Sequence, residues 1–199
     1  RLIAAGPRWR SPPGWRPLAK AGRLAADAER ERDDAAEARY VSRGGLKLEG
    51  ALAATGLDVR GWACLDVGQS TGGFTDCLLQ RGAARVCAVD VGRGQLDLKL
   101  QQDPRVVVRD KTNARYLQAS DLPFAPDLVT ADLAFISLRH FFPLLWSWPV
   151  ERLLTLIKPQ FETHPKNLRK GVVTRPEVHA EVLEEVVRLA AQDGWLCLQ

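Results

Sequence analysis

The 199-residue sequence has no methionine, no cysteine pair in C-x-x-C spacing and no uncharged apolar run of the roughly 18 residues that a membrane span needs. Its cysteines are scattered through apolar stretches, where a free cysteine behaves as a small hydrophobe, so neither a disulfide framework nor a redox motif is predicted. The three histidines have no metal-ligand spacing, and no metal site is predicted. No secretory signal opens the chain. We therefore expect a soluble, cytoplasmic protein without a membrane partner.

Acidic residues are missing from the start of the chain. Six basic residues precede Asp27, the first acid, and the whole chain carries a net charge of +4. Charge alone favours a solvated tail over an anion-binding segment. Because the chain starts with arginine and holds no methionine, we also expect it to be a piece of a longer protein.

Strand-like and helix-like segments alternate from Ser42 onward. This alternation predicts βαβ units, and hence a Rossmann-like, doubly wound α/β fold with a parallel sheet. Residues 194–198 read as a sixth strand that the chain does not finish, so we expect the C-terminal strands to be missing. Strands are predicted at 62–67, 85–89, 105–109, 127–131 and 152–157, and helices at about 43–55, 72–81, 94–102, 137–147 and 177–192.

The most informative stretch is a glycine-rich loop, DVGQSTGGF, which follows the first predicted strand and opens a predicted helix. Glycines let backbone approach a ligand closely, and a helix N-terminus offers free N–H groups. The loop lacks the Gly-Lys-Ser/Thr ending of a phosphate-binding loop and reads G-x-x-x-G-G instead of the dinucleotide pattern G-x-G-x-x-G. The candidate cofactor-binding residues in it are Asp66, Gly68, Ser70, Thr71, Gly72, Gly73 and Phe74.

Polar residues end the neighbouring predicted strands. Asp90 follows the second strand about 20 residues after the loop, where a carboxylate accepts hydrogen bonds from ribose hydroxyls. Together with the loop it indicates a nucleoside cofactor and favours S-adenosylmethionine over NAD, although an NAD-dependent oxidoreductase stays open. Ligands of doubly wound sheets bind outside the carboxyl ends of the strands. Asp110, Asp132 and Lys158, which end the third, fourth and fifth strands, are therefore expected at the same crevice, the two carboxylates as further cofactor-binding candidates.

Several motifs, taken in order, resemble the TlyA (hemolysin A) family. They are YVSRGGLKL at 40–48, DVGQSTGGFTD at 66–76, AVDVG at 88–92, IKPQFE at 157–162, and GVV with HAE at 171–173 and 179–181. The resemblance runs from Tyr40 to about Gly194. It implies an FtsJ-like methyltransferase domain over 40–199, incomplete at its C-terminus. It also implies an S4-type RNA-binding domain in front, of which residues 1–39 resemble a remnant and linker.

The resemblance implies transfer of a methyl group from S-adenosylmethionine to the 2′-hydroxyl of a ribosomal RNA nucleotide, a cytidine. Ribosomal RNA or a ribosomal subunit is then the expected partner. It further implies a Lys-Asp-Lys-Glu set, in which Lys47, Asp132 and Lys158 are the first three catalytic residues and the Glu lies beyond Gln199. A ribose hydroxyl is a poor nucleophile, so Lys158 is expected to orient or deprotonate it. Asp132 would orient Lys158, and Lys47 would supply positive field.

Four basic residues are candidates for RNA contacts. Arg43 belongs to YVSRGGLKL, while Lys166, Arg169 and Lys170 lie in a loop beside the expected site and suit phosphates, although a solvated loop is as good an explanation. Two other functions stay open. One is a binding module that holds cofactor or RNA without turnover; the other is a membrane-active hemolysin, for which no amphipathic membrane helix is visible. The oligomeric state is not indicated.

Overall fold

The computed structural model of the protein describes residues 2–5, 39–195 and 197–198. Within them the strands are β1 (Leu2–Ala5), β2 (Ala63–Val67), β3 (Arg85–Val89), β4 (Val106–Arg109), β5 (Leu128–Ala131), β6 (Leu153–Leu156), β7 (Leu168–Arg169), β8 (Val172–Val173) and β9 (Cys197–Leu198). The helices are α1 (Gly44–Thr55), α2 (Gly73–Gln80), α3 (Leu98–Gln101), α4 (Phe142–Leu145), α5 (Pro159–Glu162) and α6 (Pro176–Gln192), with 3-10 helices at Ala114–Tyr116, Ala119–Asp121, Leu138–His140 and Pro165–Asn167.

Seven strands form one sheet in the order β4-β3-β2-β5-β6-β1-β9. The strands from β2 to β6 are parallel to their neighbours, with Leu65 of β2 opposite Cys87 of β3 and Val129 of β5. Every residue of β2 is buried, as a strand covered on both faces requires. After β4 the chain crosses β2 to build β5 on its other side, which makes the end of β2 the switch point of the sheet. The predicted doubly wound α/β fold is confirmed.

The sheet continues beyond β6, the fifth predicted strand, whereas the sequence pattern predicted only an unfinished strand at 194–198 after it. β1 pairs antiparallel with all of β6, from Leu2 opposite Leu156 to Ala5 opposite Leu153. β9, the start of the predicted sixth strand, pairs in turn with β1. An open edge strand presents unpaired N–H and C=O groups, and β1 satisfies those of β6. Nothing in the sequence pattern had indicated a strand at the N-terminus.

Residues 6–38 lie outside the described part of the chain. The assignment of residues 1–39 to the remnant of an S4-type RNA-binding domain and a linker therefore stays a prediction. Of that segment, the described Leu2–Ala5 belong to the same sheet as the strands from residues 63–156.

Two predicted helices are shorter than their patterns suggested. The helix expected at 94–102 is reduced to α3, which begins after Asp97, whose Oδ1 accepts a hydrogen bond from the Lys99 N–H at 2.9 Å. The helix expected at 137–147 is divided into a 3-10 turn and α4, because Pro143 has no N–H to donate to the preceding turn. The five predicted strands and the helices α1, α2 and α6 are confirmed to within one or two residues.

An apolar layer covers each face of the sheet. One contains Leu48 and Leu52 of α1 with Leu78 of α2. The other contains Phe142 of α4 and the buried stripe of α6 around Val186. Full burial of a large apolar side chain stabilises a fold by about 1.5–3 kcal/mol, so two such layers hold the strands firmly. The carboxyl ends of β2 to β6 therefore form one fixed edge on which a site can be built.

Candidate functional site

A crevice of about 270 Å³ opens at the carboxyl ends of the parallel strands, between the loop after β2 and the start of α1. Doubly wound sheets bind their ligands at this position. The predicted residues Lys47 and Asp132 meet most of the glycine loop there. The lining residues are Ser42, Arg43, Gly44 and Lys47 from the α1 side, Gly68, Gln69, Ser70, Thr71, Gly73 and Phe74 from the loop and the start of α2, and Asp132 from the end of β5.

Two glycines allow the walls of the crevice to approach each other. Gly68 has a φ of +84°, and a Cβ at this position would lie 2.7 Å from the backbone oxygen of Asp132. Gly73 begins α2, and a Cβ there would lie 2.8 Å from the backbone nitrogen of Gly45, so the first turns of α1 and α2 are in contact. Another residue at either place requires the backbone to shift. These two glycines therefore set the width of the crevice.

The backbone amides of the glycine loop are largely occupied by the protein itself. A bound pyrophosphate needs such N–H groups free, because they and the helix N-terminus are what neutralise its charge. The loop is therefore a poor cradle for a dinucleotide. Its bonded N–H groups are those of Gly68 and Gln69, which donate to Val89 O at 2.8 and 3.3 Å, Gly72, which donates to Gln69 O at 2.7 Å, and Ser70, which donates to Asp90 Oδ2 at 2.9 Å.

Asp90 ties the loop to the end of β3. Its Oδ2 accepts the Ser70 N–H, and its Oδ1 accepts the Gly92 N–H at 2.7 Å. A carboxylate has about four acceptor positions, so two remain for the hydroxyls of a ribose. The side chains of Ser70 and Thr71 are exposed at the crevice, and neither caps α2, whose N-cap is Gly72.

Asp110 lies farther along the same edge and does not line the crevice directly. Its Oδ2 accepts the Gly94 N–H at 2.7 Å, and its Oδ1 accepts a hydrogen bond from Gln69 Nε2 at 3.2 Å. Gln69 is only 3% exposed, an unusual place for a polar side chain in a loop. Gln69 was not among the site residues predicted from the sequence, because its burial depends on where Asp110 lies.

Asp66 and Gly72 lie behind the crevice rather than in its lining. Asp66 is fully buried, and its carboxylate accepts hydrogen bonds from Thr75 Oγ1 at 2.7 Å and Thr130 Oγ1 at 3.1 Å. Burial raises the pKa of Asp66 to about 6, the two hydroxyls lower it, and the charge of Asp132 raises it further. Gly72, with a φ of +100°, packs into the apolar layer next to α3. Both residues support the loop from below.

Asp132 and Lys158 form an ion pair at the ends of the adjacent strands β5 and β6. Asp132 Oδ1 lies 2.5 Å from Lys158 Nζ, and both side chains are 23% exposed. The contact between Oδ1 and the ammonium is electrostatic and lacks hydrogen-bond geometry. Lys158 Nζ also donates a long hydrogen bond of 3.5 Å to the backbone oxygen of Asp132. A partly buried pair of this kind holds both groups in one orientation, with ammonium protons left for a further acceptor.

Lys47 and Arg43 lie on the α1 side of the crevice, both exposed. The segment that leads into α1 is fixed by Asp76 of α2, which is 4% exposed and accepts the Val41 N–H at 2.9 Å. Lys99 Nζ lies 3.3 Å from the same carboxylate oxygen. Asp76 therefore anchors the segment that precedes Arg43 and α1, a role that was not predicted from its place at the end of DVGQSTGGFTD.

The other three basic candidates follow Lys158 and α5 along the chain: Lys166 lies in the 3-10 turn Pro165–Asn167, and Arg169 and Lys170 lie in the β7–β8 hairpin. Lys166, Arg169 and Lys170 are all exposed, and none of them lines the crevice. The tight turn of the hairpin places Lys170 at a φ of +50° and Gly171 at +79°. Since β6 ends at the same edge as β5, the chain path brings the hairpin to this edge without bringing its cations into the crevice.

The segments after Asp132 and Lys158 run beside each other and contact twice more. Phe135 is 90% exposed with a φ of +63°, and its ring centroid lies 5.4 Å from that of Phe161. Glu162 accepts hydrogen bonds from Ser137 Oγ at 2.6 Å and from the Leu138 N–H at 3.0 Å. Neither Phe135 nor Glu162 was predicted from the sequence as a site residue. An aromatic three residues after a strand-end aspartate was the signal for Phe135.

The donor and acceptor pattern decides which ligand suits the crevice. The side of the crevice toward β3 and β4 offers hydrogen-bond acceptors, namely Asp90, Asp110 and the buried Gln69 Oε1. This Oε1 has no hydrogen-bond partner among the described residues. The loop amides that a pyrophosphate would need are occupied. The residues therefore fit S-adenosylmethionine, which brings hydroxyl and amine donors and no phosphate. In the described part of the chain no group of His, Cys, Asp or Glu residues could hold a metal ion.

Comparisons with known proteins agree with this geometry. The sequence model of the FtsJ-like methyltransferase family matches residues 40–199. The Mycobacterium tuberculosis protein named 16S/23S rRNA (cytidine-2′-O)-methyltransferase TlyA is 48% identical over 162 residues, which cover 80% of this chain and 60% of that protein. Hemolysin A of Brachyspira hyodysenteriae is 42% identical over 146 residues, covering 72% of this chain and 61% of that protein. The chain thus spans about three fifths of the length of these relatives.

A solved structure supports the same assignment. The crystal structure of a Lactococcus lactis protein described as a candidate hemolysin superposes with a TM-score of 0.75 at 44% identity, covering 77% of this chain and 76% of that one. Despite these names, none of the helices in the described ranges is long and apolar enough to cross a membrane. The chain belongs to the FtsJ-like methyltransferase family, in the group of the TlyA and hemolysin A proteins.

Proposed function

We propose that the chain transfers a methyl group from S-adenosylmethionine to a ribose 2′-hydroxyl of ribosomal RNA, with a cytidine as the target. Family membership and the glycine-loop crevice support the cofactor and the reaction type. The activity named for the Mycobacterium tuberculosis relative supports the RNA and the cytidine. The observation that carries the proposal is the Asp132–Lys158 ion pair beside the crevice, since it supplies the groups that a weak oxygen nucleophile needs.

Bound S-adenosylmethionine would supply a methyl group on a sulfonium sulfur, and the sulfur would keep the electron pair of the carbon–sulfur bond as the ribose oxygen attacks the methyl carbon. The protein must hold the hydroxyl in line with that methyl group and receive its proton. Lys158 is paired as an ammonium, so its remaining N–H groups donate to the ribose oxygen and orient it. The Asp132 carboxylate beside it accepts the hydroxyl proton as the carbon–oxygen bond forms.

Alignment is the larger contribution in this arrangement. A near-attack geometry removes up to about 7–11 kcal/mol from a barrier, whereas proton transfer to a positioned group contributes about 10²- to 10⁴-fold in rate, or about 3–5 kcal/mol. The Asp132–Lys158 ion pair supports that alignment, and so do the hydrogen bonds by which Glu162 holds the segment after Asp132. Lys47, exposed on α1, adds positive field for the oxygen and for the neighbouring phosphates.

The substrate RNA would lie across the carboxyl edge of the sheet. Arg43 lies at one side of the crevice. Lys166, Arg169 and Lys170 lie in the 3-10 turn and the hairpin that follow Lys158, where exposed cations suit phosphates. Phe135, three residues after Asp132, is 90% exposed, and stacking of a base on such a ring contributes about 1–3 kcal/mol. We assign residues 1–39 to the S4-type remnant and linker on the resemblance alone. A ribosomal substrate also supports a cytoplasmic location.

The test is calorimetric titration of the chain with S-adenosylhomocysteine, with NAD as the control ligand. We expect micromolar binding of the first and none of the second. Asp90→Ala should abolish the binding, because both the ribose acceptors and the anchor of Ser70 are removed. Absence of binding by a cooperatively folded chain would contradict the proposal. Binding without methyl transfer to RNA would favour a non-catalytic binding module, and lysis of red cells at low protein concentration would favour the hemolysin.

A further inference from the structure

We propose that Gln69 is a further contact for the nucleoside half of the bound cofactor. Its side-chain oxygen Oε1 would accept a hydrogen bond from a neutral donor of that nucleoside, a ribose hydroxyl or the exocyclic amine of the base. This inference rests on the proposed function, because it takes S-adenosylmethionine as the ligand. It adds a residue that neither the glycine pattern nor the strand-end acids indicate.

The orientation of the Gln69 amide is fixed by its neighbour. The nitrogen and oxygen of a glutamine side chain have similar shape, so the hydrogen-bond partners must decide which is which. Asp110 Oδ1 lies 3.2 Å from one of the two atoms, and an ionised carboxylate only accepts. The atom that faces Asp110 is therefore Nε2. The oxygen must point in the remaining direction.

That oxygen is buried without a partner. Gln69 is 3% exposed, and Oε1 has no hydrogen bond within the described residues. An unpaired buried polar atom costs a fold about 1–3 kcal/mol, so such atoms are kept where something binds them. Gln69 is also one of the residues that line the crevice. An acceptor without a donor at a ligand crevice indicates a ligand that brings the donor.

The sheet order indicates which half of the ligand arrives there. The edge runs β4-β3-β2-β5-β6, and the reacting pair Asp132–Lys158 lies over β5 and β6. Asp90 and Asp110 end β3 and β4 on the opposite side of β2. The Gln69 side chain reaches toward that side, because it bonds Asp110. Its oxygen therefore lies at the end of the crevice away from the methyl transfer, where the nucleoside would be held.

The nature of the donor follows from the surroundings. Both Asp90 and Asp110 already hold backbone N–H groups, so this end of the crevice is rich in acceptors and negative charge. A phosphate, which only accepts, would be repelled. A hydroxyl or an amine would be held, and a buried hydrogen bond to it would be stronger than the same bond in water.

The decisive variant is Gln69→Met, which keeps the length of the side chain and removes both polar atoms. Gln102→Met is the matched control, because Gln102 is an exposed residue directly after α3 and away from the crevice lining. The probes are S-adenosylhomocysteine, its 2′-deoxy and 3′-deoxy analogues, and the analogue that lacks the exocyclic amine. Dissociation constants are measured by calorimetry, and melting curves confirm that each variant folds. Should Gln69→Met not fold, Gln69→Ala is titrated with the same series.

The proposal predicts that Gln69→Met weakens S-adenosylhomocysteine binding about tenfold, as one lost hydrogen bond implies, while Gln102→Met leaves it unchanged. One analogue should bind the wild type about tenfold more weakly than the parent ligand does. The same analogue should bind Gln69→Met as well as it binds the wild type, and the group that it lacks is then the donor. Equal affinity of variant and wild type for the parent ligand would overturn the proposal. The proposal would also be overturned if each analogue lost as much affinity, relative to the parent ligand, in Gln69→Met as in the wild type. No ligand group would then depend on Gln69, and a bound water would be the partner of Oε1. Failure of the wild type to bind the parent ligand would instead contradict the proposed function itself.

Discussion

Asp132 Oδ1 and Lys158 Nζ lie 2.5 Å apart, although the two residues are 26 positions apart in the chain. They are neighbours because β5 and β6 are adjacent and parallel, so their carboxyl ends stand side by side. The backbone oxygen of the same Asp132 also faces Gly68 of the glycine loop. One residue thus connects the cofactor loop to the ammonium that would orient the substrate.

Replacing Lys158 with methionine should separate binding from chemistry. The side chain keeps its length but loses the ammonium, so the ribose hydroxyl is no longer oriented and kcat for methyl transfer should fall by at least about 10²-fold. The dissociation constant of S-adenosylhomocysteine should stay unchanged. Arg60→Ala, which breaks an exposed ion pair with Asp58, is the control. Near-normal turnover of Lys158→Met would remove Lys158 from the reaction.

Gly68→Ala should destabilise the protein more than Gly61→Ala. Both glycines have a left-handed φ, +84° and +76°, so both substitutions carry strain of about 1–3 kcal/mol. Only the Cβ at position 68 meets the backbone oxygen of Asp132, and this overlap should add about 1–3 kcal/mol. Free energies of unfolding from urea titration give the difference. Equal losses would show that the loop does not approach Asp132 so closely.

Asp66 should make stability depend on pH between about 4 and 6. Burial raises its pKa to about 6 in the folded protein, whereas an unfolded aspartate titrates near 3.9. Across that window the folded state keeps a proton that the unfolded state has lost, so the free energy of unfolding falls as pH rises and levels off above about 6. Asp66→Asn removes this contribution. Urea titrations of both proteins across the window should diverge, and parallel curves would contradict the assignment.

Glu162→Ala should release the segment between Asp132 and α4. The substitution removes the acceptor of both Ser137 Oγ and the Leu138 N–H, with a loss of about 1–3 kcal/mol in the free energy of unfolding. Amide hydrogen exchange should speed up at Leu138 and its neighbours. Glu181→Ala, an exposed position on α6, should leave the same amides unchanged. Unaltered exchange at Leu138 in Glu162→Ala would show that the two hydrogen bonds of Glu162 do not stabilise this segment.

The sequence pattern was sufficient for the parts of the site that strand order determines. Alternating segments predicted the parallel sheet, and in such a sheet the residues that end the strands share one edge, so Asp90 and Asp132 could be expected near the loop. The register of β5 against β6 then brings Lys158 to Asp132. No knowledge of side-chain packing was needed for these residues.

Other features depend on packing that no spacing reveals. Asp66 belongs to the glycine-rich motif and was therefore predicted to contact the cofactor. The alternation of side chains along β2 instead directs its carboxylate to Thr75 and Thr130. The burial of Gln69 depends on where Asp110 lies, and the clamp of Glu162 depends on how tightly two loops run together. The pairing of β1 with β6 joins Leu2–Ala5 to the distant Leu153–Leu156, and a four-residue apolar segment carries no signal for its partner.

The most direct test of the account is transfer of labelled methyl groups from S-adenosylmethionine to ribosomal RNA, followed by alkaline digestion, which cannot cleave after a 2′-O-methylated nucleotide. With the wild-type chain we expect label in an alkali-resistant fragment that contains cytidine, and with Lys158→Met we expect that label to be lost. Label on a base, or no label from a folded chain that binds S-adenosylhomocysteine, would contradict it.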